Sequence, residues 1–330
     1  MTIKSKKVAI VGTRYANFAI EEEVFADLGV TIVSGPGKDS EDIVAIAGDA
    51  EIILAGAPPK FDRNTLEKLS CRGIIRYGVG TESVDLLAAK DLGIWVSRVA
   101  DYGTEAVATH SVALALAAVR GIREADRVVQ NGSWGFADIK PLHLPSALTV
   151  GVVGTGRIGR HAAKQFLGLG FNVITYDIAP PKELPVGIEL VSTLNELLRR
   201  SDIVSLHVPG SADGAPLIGS AEFSLMKSGS IIVNTSRGSL IKSSSLIDAL
   251  KNGLIRTAAL DVFEREPVQI ADFQEVATKI IFSPHMAWYT EESEADLRFK
   301  AATEARRILY GDRPLEIVVE PSPEKARARL

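Results

Sequence analysis

Residues 150–166 read VGVVGTGRIGRHAAKQF. An apolar β-branched run ends at Gly154, a glycine turn follows, and a helical pattern starts at Gly159. The three glycines Gly154, Gly156 and Gly159 have Gly-x-Gly-x-x-Gly spacing, and the next apolar run, NVITYD, ends on Asp177, 23 residues after Gly154. Strand, glycine turn, helix, strand and acid in that order predict a Rossmann dinucleotide-binding unit. Gly154 permits the tight turn, Gly156 lets the backbone approach a pyrophosphate, and Gly159 lets helix and strand pack closely. The helix N-terminus then faces the anion. Asp177 can accept hydrogen bonds from both adenosine ribose hydroxyls and would repel a 2′-phosphate. The following Ile178-Ala179-Pro180 brings no arginine to replace it, which favours NAD over NADP.

Outward from this unit the same alternation continues in both directions. Downstream, DIVSLHV (202–208), SIIVNT (230–235), TAALDVF (257–263) and KIIFSPH (279–285) join LTVGVVG (148–154) and NVITYD as six strands separated by helical stretches. Upstream, KVAIVG, TIVSG, EIILAGA, RGIIRYG and GIWVSR form a five-strand set ending near residue 98. Residues 104–129 read as one long helix, buried where it begins. The fold class predicted is α/β: two doubly wound parallel-sheet domains, a flavodoxin-like substrate domain and a Rossmann NAD domain, with a cleft between them. Only 45 residues follow His285, too few for a core of their own, and 291–311 is an amphipathic helix needing a partner surface. It is expected to return to the first domain. That gives a discontinuous substrate-binding domain, 1–100 plus 290–330, and a dinucleotide-binding domain, 101–289. Residues 320–330 read as a solvated tail.

Composition bounds the rest. The chain has 330 residues, 46% hydrophobic and 24% charged, as in ordinary globular proteins. Lys+Arg 37 against Asp+Glu 41 leaves −4, so no global positive field draws it to nucleic acid or to an anionic membrane. The single cysteine, Cys71, excludes an intrachain disulfide and a cysteine-rich metal site, and no metal is expected. The N-terminal stretch lacks the long apolar run of a signal peptide, so a cytoplasmic protein is expected.

Ligands of open parallel sheets bind at the carboxyl ends of the strands. There the last three strands deliver Arg237, then Asp261 and Glu266, then His285. An arginine fork can bind a carboxylate and polarise the adjacent carbonyl. A histidine can give or take the hydroxyl proton, and a neighbouring carboxylate holds its tautomer and favours its protonated form. This set fits hydride transfer to a 2-keto acid, with Arg237, Glu266 and His285 as the catalytic candidates. Among the other histidines, His143 reads as structural, His161 as a surface residue near the helix start and His110 as a satisfied core histidine. His207 also ends a strand and is the rival, read as lining the adenine pocket.

Together these motifs resemble the D-isomer-specific 2-hydroxyacid dehydrogenase family over about residues 50–310: the GxGRIG loop, Asp177, SLHVP, VNTSRG, ALDVFEREP and SPHMAW occur in family order. The resemblance implies Arg237 as the substrate-binding and polarising residue and Glu266–His285 as the acid/base pair. It also implies that Asp261 contacts the nicotinamide carboxamide, that Arg157 and Ile158 approach the pyrophosphate, and that His207, Val208, Pro209 and Thr235 line the cofactor. RYGVG (76–80) is similar to the family loop that closes on the substrate carboxylate through the N–H groups of Val79 and Gly80, although Thr81-Glu82-Ser83 follows where Asp-Asn is common. ADYGTEAVATH and SPHMAWYTEES most resemble the branch of the C-terminal-binding proteins and their bacterial dehydrogenase relatives. That branch implies substrate contacts for Arg76 and Trp288. It also supplies the alternative function, an NAD(H)-sensing corepressor-like scaffold with little turnover. Family members usually dimerise through the coenzyme domain, to which the apolar Trp134–Phe136 loop could contribute. Glyoxylate, hydroxypyruvate or phosphoglycerate types of substrate are implied.

Overall fold

The β-branched runs become the strands of two sheets, described by a computed structural model for residues 6–327 apart from Arg14 and Ala212. The chain divides into two compact units, Met1–Gly103 with Thr290–Leu330, and Thr104–Tyr289. In the first, β1 (Lys7–Val11), β2 (Thr31–Gly35), β3 (Ile52–Ala55), β4 (Gly73–Arg76) and β5 (Trp95–Arg98) lie parallel in the order β2-β1-β3-β4-β5, the flavodoxin-like arrangement. Strands β3 and β4 are buried at every residue, as a parallel sheet covered on both faces requires.

In the second unit, β6 (Thr149–Val153), β7 (Asn172–Tyr176), β8 (Ile188–Leu190), β9 (Ile203–Leu206), β10 (Ser230–Asn234), β11 (Ile255–Leu260) and β12 (Ile280–Phe282) form a parallel sheet in the order β8-β7-β6-β9-β10-β11-β12. The strand order reverses between β6 and β9, the switch point where Rossmann folds bind nucleotides. One face is closed by the aliphatic cluster around Leu197, Phe223 and Leu250. The other is closed by Ala115, Val119 and Phe166 on the helices Thr104–Arg120 and Arg157–Gly168.

The C-terminal segment returns to the first unit. The helix Glu291–Tyr310 is capped by the Thr290 hydroxyl, carries Glu291, Glu292 and Glu294 in its first turn and stops at Gly311, whose φ is 85°. It lies on β3 and β4 so closely that a Cβ on Gly73 would come within 2.7 Å of Ile308. After it, β13 (Ile317–Val319) adds to β5 antiparallel, and Pro323–Arg327 forms a short helix, so most of the expected tail is structured. The last three residues of that tail, and the first five of the N-terminal stretch, lie outside the described residues.

Three features differ from the sequence reading. Strands β8 and β13 are only three residues long and half exposed, too short for an alternating pattern to register. The expected single helix over 104–129 is broken at Gly121, which takes φ 57° and turns the chain by 58° into Ile122–Gln130. A Cβ at Gly121 would lie 2.5 Å from Ile139, so the bend admits glycine only. Among the described residues no single helix is long and apolar enough to cross a membrane.

The first unit is tied to its returning helix by a buried polar cluster. Arg298 donates to both oxygens of Glu21 at 3.0 and 2.7 Å, and its guanidinium lies 4.5 Å above the Tyr15 ring. Tyr77 donates to the same Glu21 at 2.8 Å, and burial beside that carboxylate pushes its hydroxyl pKa up. Glu21 is fully buried and Arg298 nearly so. Removing one partner strands the other charge, whereas replacing both with apolar residues does not. Arg298→Met is therefore expected to cost about 3–5 kcal/mol in urea unfolding, and Glu21→Leu/Arg298→Met to recover most of it.

Candidate active site

Strand β11 runs directly into Asp261, whose side chain is 1% exposed. That carboxylate is filled by donors: Ser283 Oγ at 2.5 Å, Met286 N at 3.0 Å and Ala287 N at 2.9 Å. The Asp261 carbonyl also accepts from His285 N at 2.8 Å. Gathering these groups folds the chain after β12 into a tight turn, and His285 at its apex has φ 54°, the one left-handed non-glycine among the described residues. Such a conformation is unfavourable for a residue with a side chain and persists only where its surroundings over-determine it.

The turn aims the imidazole at Glu266. His285 Nδ1 lies 2.7 Å from Glu266 Oε2, while Oε1 accepts from Phe263 N at 3.0 Å. Burial alone would raise the Glu266 pKa. The hydrogen bonds from His285 and Phe263 outweigh it and hold the carboxyl below its ordinary range. Glu266 is therefore ionised at neutral pH, so Nδ1 is the donor and Nε2 is left as the exchanging nitrogen. The same bond raises the His285 pKa against burial and the nearby Arg237 cation.

Arg237 follows β10 on a turn held from within. Asn234 donates to the Arg237 carbonyl at 2.8 Å, Ser236 N to Asn234 Oδ1 at 3.0 Å, and Ser236 Oγ to Leu206 O at 2.7 Å. Gly238 presses against the next loop, where a Cβ would meet the Phe263 carbonyl at 1.9 Å. That contact brings the Arg237 turn beside the Phe263–Glu266 segment, and the arginine's charge is felt at both Glu266 and His285.

His207 sits elsewhere, under the glycine turn. Its Nε2 is 2.9 Å from Ser205 Oγ, its buried Nδ1 has no partner, and burial pushes its pKa down to about 4. It is neutral at physiological pH and does not compete with His285 as an acid. His110 is more than a core histidine: its Nε2 lies 3.1 Å from Ser283 Oγ, on the far side of Asp261's own partner. Neither Ser283 nor His110 stood out as a site residue in the sequence, because their link to Asp261 runs between distant segments. Thr235, half a turn from Arg237, meets Ser111 at 2.6 Å.

In the first unit, Arg76 is buried, and its guanidinium donates to the carbonyls of Ala55, Gly56 and Gly80. Its bond to Gly80 closes the 76–80 loop, and the other two tie it to the end of β3. Val79 is exposed at the tip of that loop, and Trp288, in the second unit, is half-buried edge-on to Tyr289. Among the described residues no group of three or more His, Cys, Asp or Glu could hold a metal ion.

Residues 112–287 match the family described as D-isomer specific 2-hydroxyacid dehydrogenase, NAD binding domain. The chain belongs to this family. It is 35% identical to the D-3-phosphoglycerate dehydrogenase of Methanocaldococcus jannaschii over 298 residues, 89% of this chain and 56% of that protein. It is 35% identical to the glyoxylate reductase of Thermococcus litoralis over 82% of this chain and 84% of that one. Among solved structures, D-lactate dehydrogenase from Aquifex aeolicus complexed with NAD and lactic acid superposes with TM-score 0.84 at 28% identity, over 96% of this chain and all of that one. The chain spans about half the length of the phosphoglycerate dehydrogenases it matches.

The family's NAD-binding domain has the geometry that a dinucleotide needs. Gly154 takes φ 98°, and a Cβ there would meet the His207 carbonyl at 2.4 Å. A Cβ on Gly159 would fall 1.9 Å from the Gly154 carbonyl, whereas Gly156 faces open space, where a pyrophosphate can approach the backbone. Asp177 closes this turn: it accepts from Thr155 N at 2.6 Å and Thr155 Oγ at 2.8 Å, and from Ala179 N at 2.8 Å. Burial pushes its carboxyl up, but these donors outweigh that and keep it ionised. The anion expected to meet the ribose is thus set in place by the loop that would cradle the phosphates. Val208 lines the Gly154 turn from the next strand, with Pro209 exposed beyond it.

Because the folded His285 pKa is raised, its bond stabilises the fold fully below the unfolded value and is lost as pH rises through the folded one. Glu266, being depressed, contributes above its unfolded value and loses that contribution as pH falls through its folded one. Glu266→Gln is therefore expected to lower the His285 pKa, read from its ring-proton shifts in an NMR titration. An unmoved midpoint would show that the carboxylate does not set the ring's protonation.

Proposed function

We propose that this chain is an NAD-dependent oxidoreductase that interconverts a 2-keto acid and a D-2-hydroxy acid, of the glyoxylate, hydroxypyruvate or phosphoglycerate type. The observation that carries the reading is the 2.7 Å bond from His285 Nδ1 to a Glu266 carboxylate that is itself fixed by Phe263 N–H. NAD(H), when bound, exchanges a hydride with the carbon that carries the reacting oxygen. His285 gives its Nε2 proton to that oxygen during reduction and takes it back during oxidation, while Nδ1 keeps its proton and donates it in a hydrogen bond to Glu266, which stabilises the imidazolium. Arg237 holds the substrate carboxylate and polarises the adjacent carbonyl. Val79 and Gly80 offer their N–H groups to the carboxylate, Arg76 contacts the substrate and keeps their loop folded, and Trp288 bounds the substrate's side chain. Gly154, Gly156, Arg157, Ile158 and Gly159 seat the pyrophosphate, Asp177 the adenosine ribose, His207, Val208 and Pro209 the adenine, and Thr235 and Asp261 the nicotinamide end. The unit with residues 1–100 and 290–330 is the substrate-binding domain in this reading, and 101–289 the dinucleotide-binding domain.

The partners follow from chemistry. A chain of net charge −4 suits a small acid held by placed groups better than nucleic acid or a membrane surface. Trp134, Phe136 and Leu144 are largely exposed on one loop, which supports a homodimer formed through the coenzyme domain. A single buried cysteine is compatible with the cytoplasm.

Arg237→Ala is expected to lower kcat/KM for keto-acid reduction by about 10²–10³-fold, the scale of losing an aimed charge-stabilising donor, while NADH binding survives. Steady-state rates with glyoxylate, hydroxypyruvate, pyruvate and phenylpyruvate, beside NADH fluorescence titration, check both halves. NADH binding with no turnover on any acid would favour the NAD(H)-sensing scaffold instead.

A further inference from the structure

One cavity of the second unit lies apart from the strand-end cluster around His285. It has a volume of about 560 Å³ and lies along the outer face of the helix Arg157–Gly168, lined on that side by Arg157, Arg160, His161 and Lys164. Spacings of three and four residues stack these four side chains on one helical face. The opposite wall is formed by Thr104 at the start of its helix and by the loop at Glu183.

Three observations set this cavity apart from ordinary solvated surface. Like charges three and four residues apart repel and destabilise a helix, yet Arg157, Arg160 and Lys164 stand in that relation in a chain whose net charge is −4. Among the described residues, the side chains of Arg160, His161 and Lys164 make no hydrogen bond or ion pair. Glu183 lines the same space without pairing with them. Several surface arginines elsewhere are paired: Arg200 with Glu189 and Glu196, Arg63 with Asp91, Arg306 with Asp27. Arg160 and Lys164 break that local rule without an internal counter-ion, the pattern of a binding site.

We propose that this cavity binds a small phosphate-bearing polyanion, a ligand separate from the dinucleotide. With Arg157 given to the dinucleotide, the Arg160 guanidinium fork, the Lys164 ammonium and the His161 imidazole match the oxygens of a diphosphate or a doubly charged phosphate ester better than a single carboxylate. The volume lies within the 300–1,000 Å³ usual for small-molecule sites, and the Thr104 hydroxyl supplies a neutral donor on the far wall. Glu183 disfavours singly charged anions and admits ligands whose charge outweighs its own.

The test is calorimetric titration of the full chain with inorganic pyrophosphate at constant ionic strength, with saturating NADH present so that the dinucleotide's own phosphate seat is filled. Saturable binding is expected with NADH bound. Arg160→Glu/Lys164→Glu is expected to weaken it at least about tenfold, since two attractions become repulsions at the surface. Glu183→Gln is expected to strengthen it, and Lys164→Gln provides a milder loss should the double reversal unfold. NADH affinity of Lys164→Gln is expected to stay within about twofold of the parent, because the lost charge lies two turns along the helix from the glycine loop. Absence of saturable binding with NADH bound would overturn the proposal. So would pyrophosphate affinity unchanged in the charge variants, or binding of a single-stranded RNA in place of pyrophosphate.

Discussion

The carboxylate of Asp261 is the constraint on which the rest of the catalytic face depends. It is buried at the end of β11 and collects the hydroxyl of Ser283 and the N–H groups of Met286 and Ala287, while its carbonyl takes His285 N. Four donors from one short segment converge on one residue, and that segment has to coil around it. The left-handed backbone of His285 is the result, and the cost of order 1–3 kcal/mol for such a conformation is offset by those bonds. Without the coil the imidazole would not lie 2.7 Å from Glu266. A buried carboxyl group that collects these donors thus fixes the direction of His285, the acid/base of the proposed reaction.

The same logic recurs at the glycine loop. Asp177 is held by the amide and hydroxyl of Thr155, a residue inside the Gly-x-Gly-x-x-Gly turn. Phosphate cradle and ribose acceptor therefore form one rigid piece, seated at the switch point between β6 and β9. At both places a carboxyl group, buried in Asp261 and half-buried in Asp177, organises backbone N–H groups, and the functional group is placed by the organised backbone rather than by side-chain packing alone. Such placement loses little entropy on ligand binding, which is what preorganised sites require.

How much of this was legible beforehand depended on range in sequence. The glycine turn, its flanking strands and Asp177 lie within thirty residues, and their order alone implied the Rossmann half; the observed strand order agrees with it. Glu266 and His285 could be named as strand-end residues, but their distance could not. The role of Asp261 in shaping the turn was hidden, because its partners are a serine hydroxyl and three main-chain amides more than twenty residues away, and nothing in a sequence marks such a convergence. His110 was hidden for the same reason: on an apolar helix nothing distinguishes a packed histidine from one that reaches Ser283. That the Arg76 guanidinium would donate to three carbonyls of its own unit was hidden too, since carbonyl partners leave no mark in a sequence. The short strands β8 and β13 are sheet edges, formed by pairing to a neighbour rather than by their own pattern.

The most direct test of the central claim is isotopic. The protein is incubated with NADH deuterated at the transferring position and with hydroxypyruvate or pyruvate, and the 2-hydroxy acid product is analysed for label and handedness. The account requires deuterium at C2 of the D-isomer, because hydride and the His285 proton must reach one carbon–oxygen bond held in a fixed orientation. Label in the L-isomer, or unlabelled acid recovered from protein shown to bind NADH, would contradict it.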